Sequence, residues 1–97
     1  MWSELLPKLV GRVGDYTEET TTRARLVGYE LTAPTENRGA GVSLFMELLE
    51  PDPEYPQKWE HWADRQYIGI GGSDDGRMEI CCVWGMSFVL DAKELTE

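Results

Sequence analysis

The sequence predicts an α+β fold: a small antiparallel β-sheet of about four strands, with a C-terminal hairpin and one or two short helices packed on it. Three observations lead to this prediction. The chain has 97 residues, the size of a single compact domain over residues 1–97. Stretches of alternating apolar residues, or of Thr, Val and Tyr, recur along it, and both are typical of strands. An Asp-Gly pair stands between two such stretches, which is a strong hairpin signal.

The N-terminal third is expected to form one helical turn and one strand. Ser3 can cap a short helix, which Pro7 limits to about one turn. The Gly and Asp residues within 11–15 are expected to break the chain. Residues 20–32 favour a strand. Their apolar positions change parity near Gly28, which indicates a β-bulge or a twist there.

The middle of the chain is expected to form a loop, a strand and a short helix. Residues 34–41 offer turn residues and no core residue, and apolar side chains then recur at spacing two over 42–48. Three prolines end this strand because they lack the amide that a ladder needs: Pro51, Pro53 and Pro56. Beyond them Tyr55, Trp59 and Trp62 stand at i, i+4 and i+7, which predicts one face of a helix.

The C-terminal third is expected to form two strands around a turn at 72–76. Apolar residues alternate without interruption along the second strand, 77–90. Such a strand would be about 46 Å long, whereas a domain of this size has a radius of gyration of about 13 Å. The strand must therefore bend, at Gly85, or overhang and pair with another chain. Asp91 followed by Glu94 resembles a capping box and predicts a closing turn of helix.

The net charge is strongly negative and unevenly distributed. Eighteen acidic residues against nine basic ones give a formal charge of -9. This balance excludes general nucleic-acid binding and docking on an anionic membrane through a basic patch, since both need clustered Lys and Arg. Residues 1–46 hold six acids and five bases, and residues 47–97 hold twelve acids and four bases, so the net charges are -1 and -8.

Catalytic and cofactor signals are weak. Every Ser-His-Asp or Cys-His arrangement would have to use His61, the one histidine of the chain. The glycine-rich segment 69–72 leads into an acidic turn and a strand, whereas a phosphate-binding loop opens a helix. Cys81 and Cys82 are adjacent, so we expect two reduced thiols on opposite faces of the sheet and a cytoplasmic protein without metal or cofactor. No segment is apolar enough to span a bilayer or resembles a signal peptide.

The densest acidic stretch also contains prolines and aromatic rings, and it is the candidate partner-binding site. The predicted carboxylates are Glu47, Glu50, Asp52, Glu54, Glu60, Asp64, Asp74 and Asp75, and the predicted aromatic anchors are Tyr55, Trp59 and Trp62. One interpretation is a solvated face that keeps the protein soluble above three core aromatics. The other is a surface that meets a basic groove, because carboxylates at i and i+2 on a strand lie about 6.7 Å apart, on the scale of nucleic-acid phosphates.

Three functional hypotheses follow. The preferred one is a non-enzymatic interaction protein that blocks a basic, nucleic-acid-binding protein target. In size, acidity and lack of catalytic residues the chain resembles small phage inhibitors of bacterial defence, including anti-CRISPR proteins, and immunity proteins that neutralise nuclease toxins. The first alternative is an assembly subunit, a homo-oligomer that pairs through the long 77–90 strand. The second alternative is a small enzyme with an unrecognised site.

Overall fold

The computed structural model describes residues 2–72 and 78–91 as one helix, one 3-10 helix and one sheet. Helix α1 spans Trp2–Leu9, and the 3-10 helix spans Arg65–Tyr67. The strands are β1 (Val13–Thr17), β2 (Thr21–Thr32), β3 (Gly41–Leu48), β4 (Lys58–Asp64), β5 (Ile68–Gly72), β6 (Met78–Cys82) and β7 (Ser87–Leu90). They form one antiparallel sheet in the order β4-β3-β2-β1-β7-β6-β5.

The predicted α+β fold with about four strands and one or two helices is wrong. The described residues form a β-rich domain of seven antiparallel strands and one short α-helix. The antiparallel sheet itself is confirmed, as are the strand over 42–48 and the C-terminal hairpin, in which β5 pairs with β6. The three additional strands come from segments that the sequence analysis interpreted as a chain break, a helix and one continuous strand.

The sheet is strongly curled, because its two edge strands, β4 and β5, follow each other in the chain. Seven flat strands would place the edges about 29 Å apart, whereas the four residue steps from Asp64 to Ile68 span at most about 15 Å. The sheet therefore bends into an open barrel with one face inside. Strand β2 contributes to the bend through a register shift between Leu26 and Gly28, which confirms the predicted bulge.

The hydrophobic core fills the inner face of the barrel. Its largest fully buried side chains are Tyr16, Phe88, Leu6, Leu26, Leu44, Met46, Ile80, Leu90 and Val42. Helix α1 adds Leu6 and Leu9 to this core and continues beyond Pro7 for two residues, so it is longer than the single predicted turn. No helix within the described ranges is long and apolar enough to cross a bilayer.

Strand β1 was predicted as a chain break because it contains Gly14 and Asp15. Gly14 instead permits a close approach between strands. A Cβ at this position would lie 2.2 Å from the carbonyl oxygen of Val89 on β7, so any larger residue would separate β1 from β7. Asp15 lies on the outer face and bonds to Arg23 of β2 at 2.9 Å.

The predicted helix over 55–62 is also wrong, because the segment is strand β4. In the ladder with β3, Trp59 pairs with Met46 and Trp62 pairs with Ser43. Since successive side chains of a strand alternate between faces, Trp59 lies on the inner face and Trp62 on the outer one. The i, i+4, i+7 spacing of three aromatics matched a helix by coincidence, and Pro56 precedes a strand.

The predicted continuous strand over 77–90 is two strands, β6 and β7, joined by a tight turn. The amide of Gly85 donates to the carbonyl of Cys82 at 3.0 Å, and the amide of Cys82 donates to the carbonyl of Met86 at 2.9 Å. Gly85 has φ +100°, which confirms the predicted bend at this residue in the form of a complete reversal. The capping box predicted at Asp91 and Glu94 lies partly outside the described residues, since Glu94 is not among them.

Candidate functional site

Two loops place five acidic residues at the same end of the barrel. The turn between β1 and β2 supplies Glu18 and Glu19, and the connection between β3 and β4 supplies Glu50, Asp52 and Glu54. We call these five residues the acidic loop surface. One groove on it is lined by Glu18, Glu19, Thr20, Glu54 and Tyr55. A neighbouring groove of about 250 Å³ is lined by Asp15, Thr21, Thr22, Arg23, Glu50, Pro51 and Asp52.

Hydrogen bonds attach the connection between β3 and β4 to strand β2 and to the turn before it. The amide of Leu49 donates to the carbonyl of Arg23 at 3.2 Å, and the hydroxyl of Tyr55 donates to the carbonyl of Thr20. Within the second loop, the carboxylate of Asp52 accepts from the amide of Glu54 at 2.8 Å, an Asx-type turn. The backbone of the acidic loop surface is therefore restrained by hydrogen bonds at several points.

Arg23, the cation that lines the groove beside Glu50 and Asp52, is bound by two carboxylates of the same sheet. Its guanidinium donates to Asp91 through both terminal nitrogens, at 2.9 and 2.6 Å, and to Asp15 at 2.9 Å. The hydrogen bonds to Asp91 and then to Asp15 raise the pKa of Arg23 above its ordinary value. Arg23 is therefore paired with Asp15 and Asp91, and it does not neutralise the acidic loop surface.

An aromatic cluster lies beneath the acidic loops, on the inner face. The ring of Tyr16 packs edge-to-face against Tyr55 at 5.9 Å and against Trp59 at 5.1 Å between centroids. Trp59 and Tyr55 are half-buried and pack against the core. These two predicted anchors therefore support the loops from below, as the solvated-face interpretation expected, and Tyr55 also lines the groove beside Glu54.

The lone histidine belongs to this cluster. His61 Nδ1 lies 3.2 Å from Glu18 Oε1 and 3.3 Å from the hydroxyl of Tyr16, which also donates to Glu18. Burial, and next the hydrogen bond to Glu18, raise the pKa of Tyr16 well above its ordinary value. The phenol stays protonated and serves as a hydrogen-bond donor. A protonated phenol is unsuited to act as a nucleophile or a general base. His61 is not among the lining residues of either groove described above.

The remaining predicted residues on β3 and β4 lie on the outer face, apart from the acidic loop surface. Glu47 is 3.8 Å from Lys58 in an ion pair, and the carboxylate of Asp64 caps the 3-10 helix by accepting from the amide of Gln66. The indole of Trp62 is covered by the guanidinium of Arg38, which lies 4.1 Å from the ring centroid. Glu60 is exposed on the same strand.

The predicted site is thus split. The structure brings Glu50, Asp52, Glu54 and Tyr55 together, separates them from the outer-face set, and leaves Asp74 and Asp75 outside the described residues. It adds Glu18 and Glu19, which the sequence analysis placed in the nearly neutral half. Their signal was a pair of acids within a short polar segment between two strands, a position typical of an exposed turn.

The strand spacing used for the phosphate comparison does not apply to the acidic loops. Glu50, Asp52 and Glu54 belong to a turn-containing connection, not to a strand, so the distance of about 6.7 Å between i and i+2 residues is not imposed on them. Binding at this surface would therefore depend on the sign and density of its charge and not on a regular spacing of carboxylates.

The cysteines and the possible metal ligands show no reactive arrangement. Both thiols are free, with Cys82 buried inside and Cys81 exposed outside, as predicted. Partial desolvation of this surface thiol by its neighbours, and then Glu79, raise the pKa of Cys81, which lowers its reactivity. Among the residues that the structure describes, no group of three His, Cys, Asp or Glu side chains is arranged to hold a metal ion.

Comparison with known proteins finds no match. No family model matches the sequence, and neither the curated proteins nor the solved structures contain a significant match. The fold and the site themselves define a small antiparallel β-barrel-like domain with paired acidic loops at one end.

Proposed function

We propose that this chain is a non-enzymatic interaction protein that binds a basic, nucleic-acid-binding protein and blocks its groove. The observation that supports the proposal is the convergence of two acidic loops, Glu18–Glu19 and Glu50–Glu54, on one end of the barrel. Their carboxylates attract Lys and Arg side chains that otherwise contact phosphates, and a focused field of opposite charge accelerates association.

The surrounding contacts strengthen this proposal. Since Arg23 is bound by Asp15 and Asp91, it is not available to cancel the charge of the acidic loops. The loops are tied to each other and rest on the aromatic cluster, so little conformational freedom is lost on binding. Free thiols at Cys81 and Cys82 are in keeping with a cytoplasmic location for such an inhibitor.

The two alternatives have less support. Pairing between chains through residues 77–90 would need a free strand edge, but β6 and β7 are each paired on both sides within the chain. Pairing of strands between chains would have to use an edge strand, β4 or β5. A catalytic site at His61 would have to use Tyr16 or Glu18, which already bond to each other. Sedimentation at rising concentration tests the assembly alternative.

The test is displacement of a fluorescent DNA duplex from a panel of purified proteins with basic grooves: guide-loaded CRISPR effector nucleases and nuclease toxins. The chain is expected to displace the duplex from at least one of them. Binding to that protein should weaken steeply between about 50 and 500 mM salt. Affinity that does not change with salt, or failure to displace the duplex from any member, contradicts the proposal.

Charge reversal locates the surface. The triple change Glu50→Lys, Asp52→Lys and Glu54→Lys is expected to slow association about 10-fold or more at low salt, with little effect on folding because these residues lie in a surface connection. Glu36→Lys is the matched control for the single change Glu54→Lys, since both alter the net charge equally and Glu36 is exposed in the loop between β2 and β3, at the other end of the strands. Equal effects of these two single changes would show that binding is not directed to the acidic loops.

A further inference from the structure

The turn between β6 and β7 exposes a large apolar side chain that the core does not use. Trp84 is 77% exposed and its neighbour Val83 is 70% exposed. The ring of Tyr67, itself 40% exposed, packs edge-to-face on Trp84 at 5.7 Å between centroids. We call Tyr67, Val83 and Trp84 the Trp84 knob. Clustered exposed apolar side chains of this kind mark interaction sites in monomeric proteins.

The sequence pattern alone placed Trp84 in the core. It continues the alternation of Ile80 and Cys82 on one side and of Met86 and Phe88 on the other. The reversal of the chain at Gly85 removes Trp84 from that alternation, while Cys82 and Met86 on either side of the turn stay buried. An indole left in solvent by a tight turn contributes little to folding, so its presence needs another reason.

The backbone of the Trp84 knob is held in place. The amide of Val83 donates to the carbonyl of Tyr67 at 2.9 Å, and two further hydrogen bonds close the turn between Cys82 and Met86. A rigid aromatic side chain at a fixed position loses little entropy on binding, and Trp is among the residues most enriched at the energetic centres of interfaces.

The Trp84 knob and the acidic loop surface belong to turns at the same end of neighbouring strands. Strands β1 and β7 are neighbours, and their last pair is Thr17 with Ser87. The turn after Thr17 carries Glu18 and Glu19, and the turn before Ser87 carries Trp84, so the two turns leave the sheet at the same end. Strands β1 and β6 are two strand spacings apart, about 10 Å, which is within the width of one protein interface.

Resting on the proposed function, we infer that Trp84 is the apolar anchor of the same interface and enters a pocket on the target. We expect the surface around that pocket to be basic, because Glu18 and Glu19 lie in a turn at the same end of the sheet as the anchor. Acidic side chains would set the rate of encounter, and Trp84 would set the lifetime of the complex. Trp59 and Trp62, the anchors predicted from the sequence, are less exposed than Trp84, since Trp59 packs against Tyr16 and Trp62 stacks with Arg38.

The experiment uses the member of the displacement panel that the wild-type chain binds most tightly. Surface plasmon resonance is recorded for Trp84→Ala, for the triple lysine variant at 50, 52 and 54, and for Val10→Ala. Val10 is the matched control, since it is 38% exposed and apolar but follows helix α1. Trp84→Ala is expected to weaken binding about 30-fold, through faster dissociation and equally at low and high salt.

The outcomes separate the two proposals. If Trp84→Ala matches Val10→Ala while the triple variant weakens binding, the anchor is wrong and the acidic interface stands. If neither variant weakens binding, or if no panel member binds the wild type, both are overturned. Trp84→Phe serves as a second variant: it should keep most of the affinity lost in Trp84→Ala, and urea unfolding of all variants confirms that folding is unchanged.

Discussion

The imidazole Nδ1 of His61 lies 3.2 Å from the carboxylate of Glu18, although 43 residues separate them in the chain. His61 is on edge strand β4 and Glu18 is in the turn after β1, and in the flat order of the sheet two strands stand between β4 and β1. The contact therefore exists because the sheet curls. It fixes one carboxylate of the acidic loop surface against the inner face, together with the hydroxyl of Tyr16.

Because the hydroxyl of Tyr16 is buried, we expect the protein to lose stability at alkaline pH. The pKa of Tyr16 is raised, chiefly by burial, so the folded state favours the protonated phenol more than the unfolded state does. The contribution of Tyr16 to the free energy of unfolding is therefore fully present below the ordinary tyrosine pKa of about 10, and it is lost as the pH rises above that value. Wild-type stability should fall by about 1.4 kcal/mol per pH unit relative to Tyr16→Phe, as measured by urea unfolding from neutral to alkaline pH.

The same variant supplies the control at neutral pH. Tyr16→Phe removes the hydrogen bonds to Glu18 and His61 but keeps the ring in the core, so a loss of about 1 kcal/mol is expected. Parallel pH curves for the wild type and Tyr16→Phe would show that Tyr16 ionises as readily in the folded state as in the unfolded one.

The strand over 42–48 was predictable because its apolar side chains alternate without a competing signal. The bulge near Gly28 was predictable because the apolar positions of residues 20–32 change parity there. The failures have a common physical cause, which is that contacts between distant residues overrode local signals. Gly14 indicates a break until Val89 is seen beside it, and Trp59 fits a helix until it pairs with Met46.

The candidate site was predictable only in part for the same reason. Glu50, Asp52 and Glu54 were found because they are close in sequence, whereas Glu18 and Glu19 join them only through the packing of two loops. Trp84 was assigned to the core because its alternation continues through a turn. Only the hydrogen bonds of Gly85 and Cys82 show that the chain reverses there.

The cluster around Arg23 should stabilise the sheet in a salt-dependent way. Arg23 on β2 joins Asp15 of β1 to Asp91, which follows β7, so one guanidinium links three strands. The side chain of Arg23 is 41% exposed, so solvent screens the cluster, and Asp91→Asn is expected to cost only about 1 kcal/mol. Thermal unfolding should show this loss at low salt and a smaller one at about 1 M salt.

A weaker ion pair in the same sheet provides the comparison for Asp91. Glu47 and Lys58 are 3.8 Å apart, and the lysine side chain is 72% exposed. Glu47→Gln should therefore leave the unfolding temperature nearly unchanged at any salt concentration. Equal losses for Asp91→Asn and Glu47→Gln would show that the three-strand link contributes no more than an ordinary surface pair.

The packing of Trp62 on Gly41 predicts a different kind of sensitivity. A Cβ at Gly41 would lie 2.5 Å from the indole nitrogen of Trp62, so Gly41→Ala must displace the ring and its stacking with Arg38. We expect a loss of about 1–3 kcal/mol, typical of overpacking. Gly69→Ala is the matched control, because nothing lies within 4 Å of its Cβ position. If both substitutions cost the same in urea unfolding, contact with Trp62 is not the cause.

The turn that presents Trp84 should depend on the backbone conformation of Gly85 and not on space around it. Nothing lies within 4 Å of a Cβ at Gly85 or at Gly71, but Gly85 has φ +100°, a conformation that L-residues rarely adopt. Gly85→Ala is expected to cost about 1–2 kcal/mol, whereas Gly71→Ala should be neutral. Replacing Gly85 by D-alanine through chemical ligation should restore the stability, because the mirror-image residue favours positive φ. Failure of D-alanine to exceed L-alanine in urea unfolding would contradict the assigned turn.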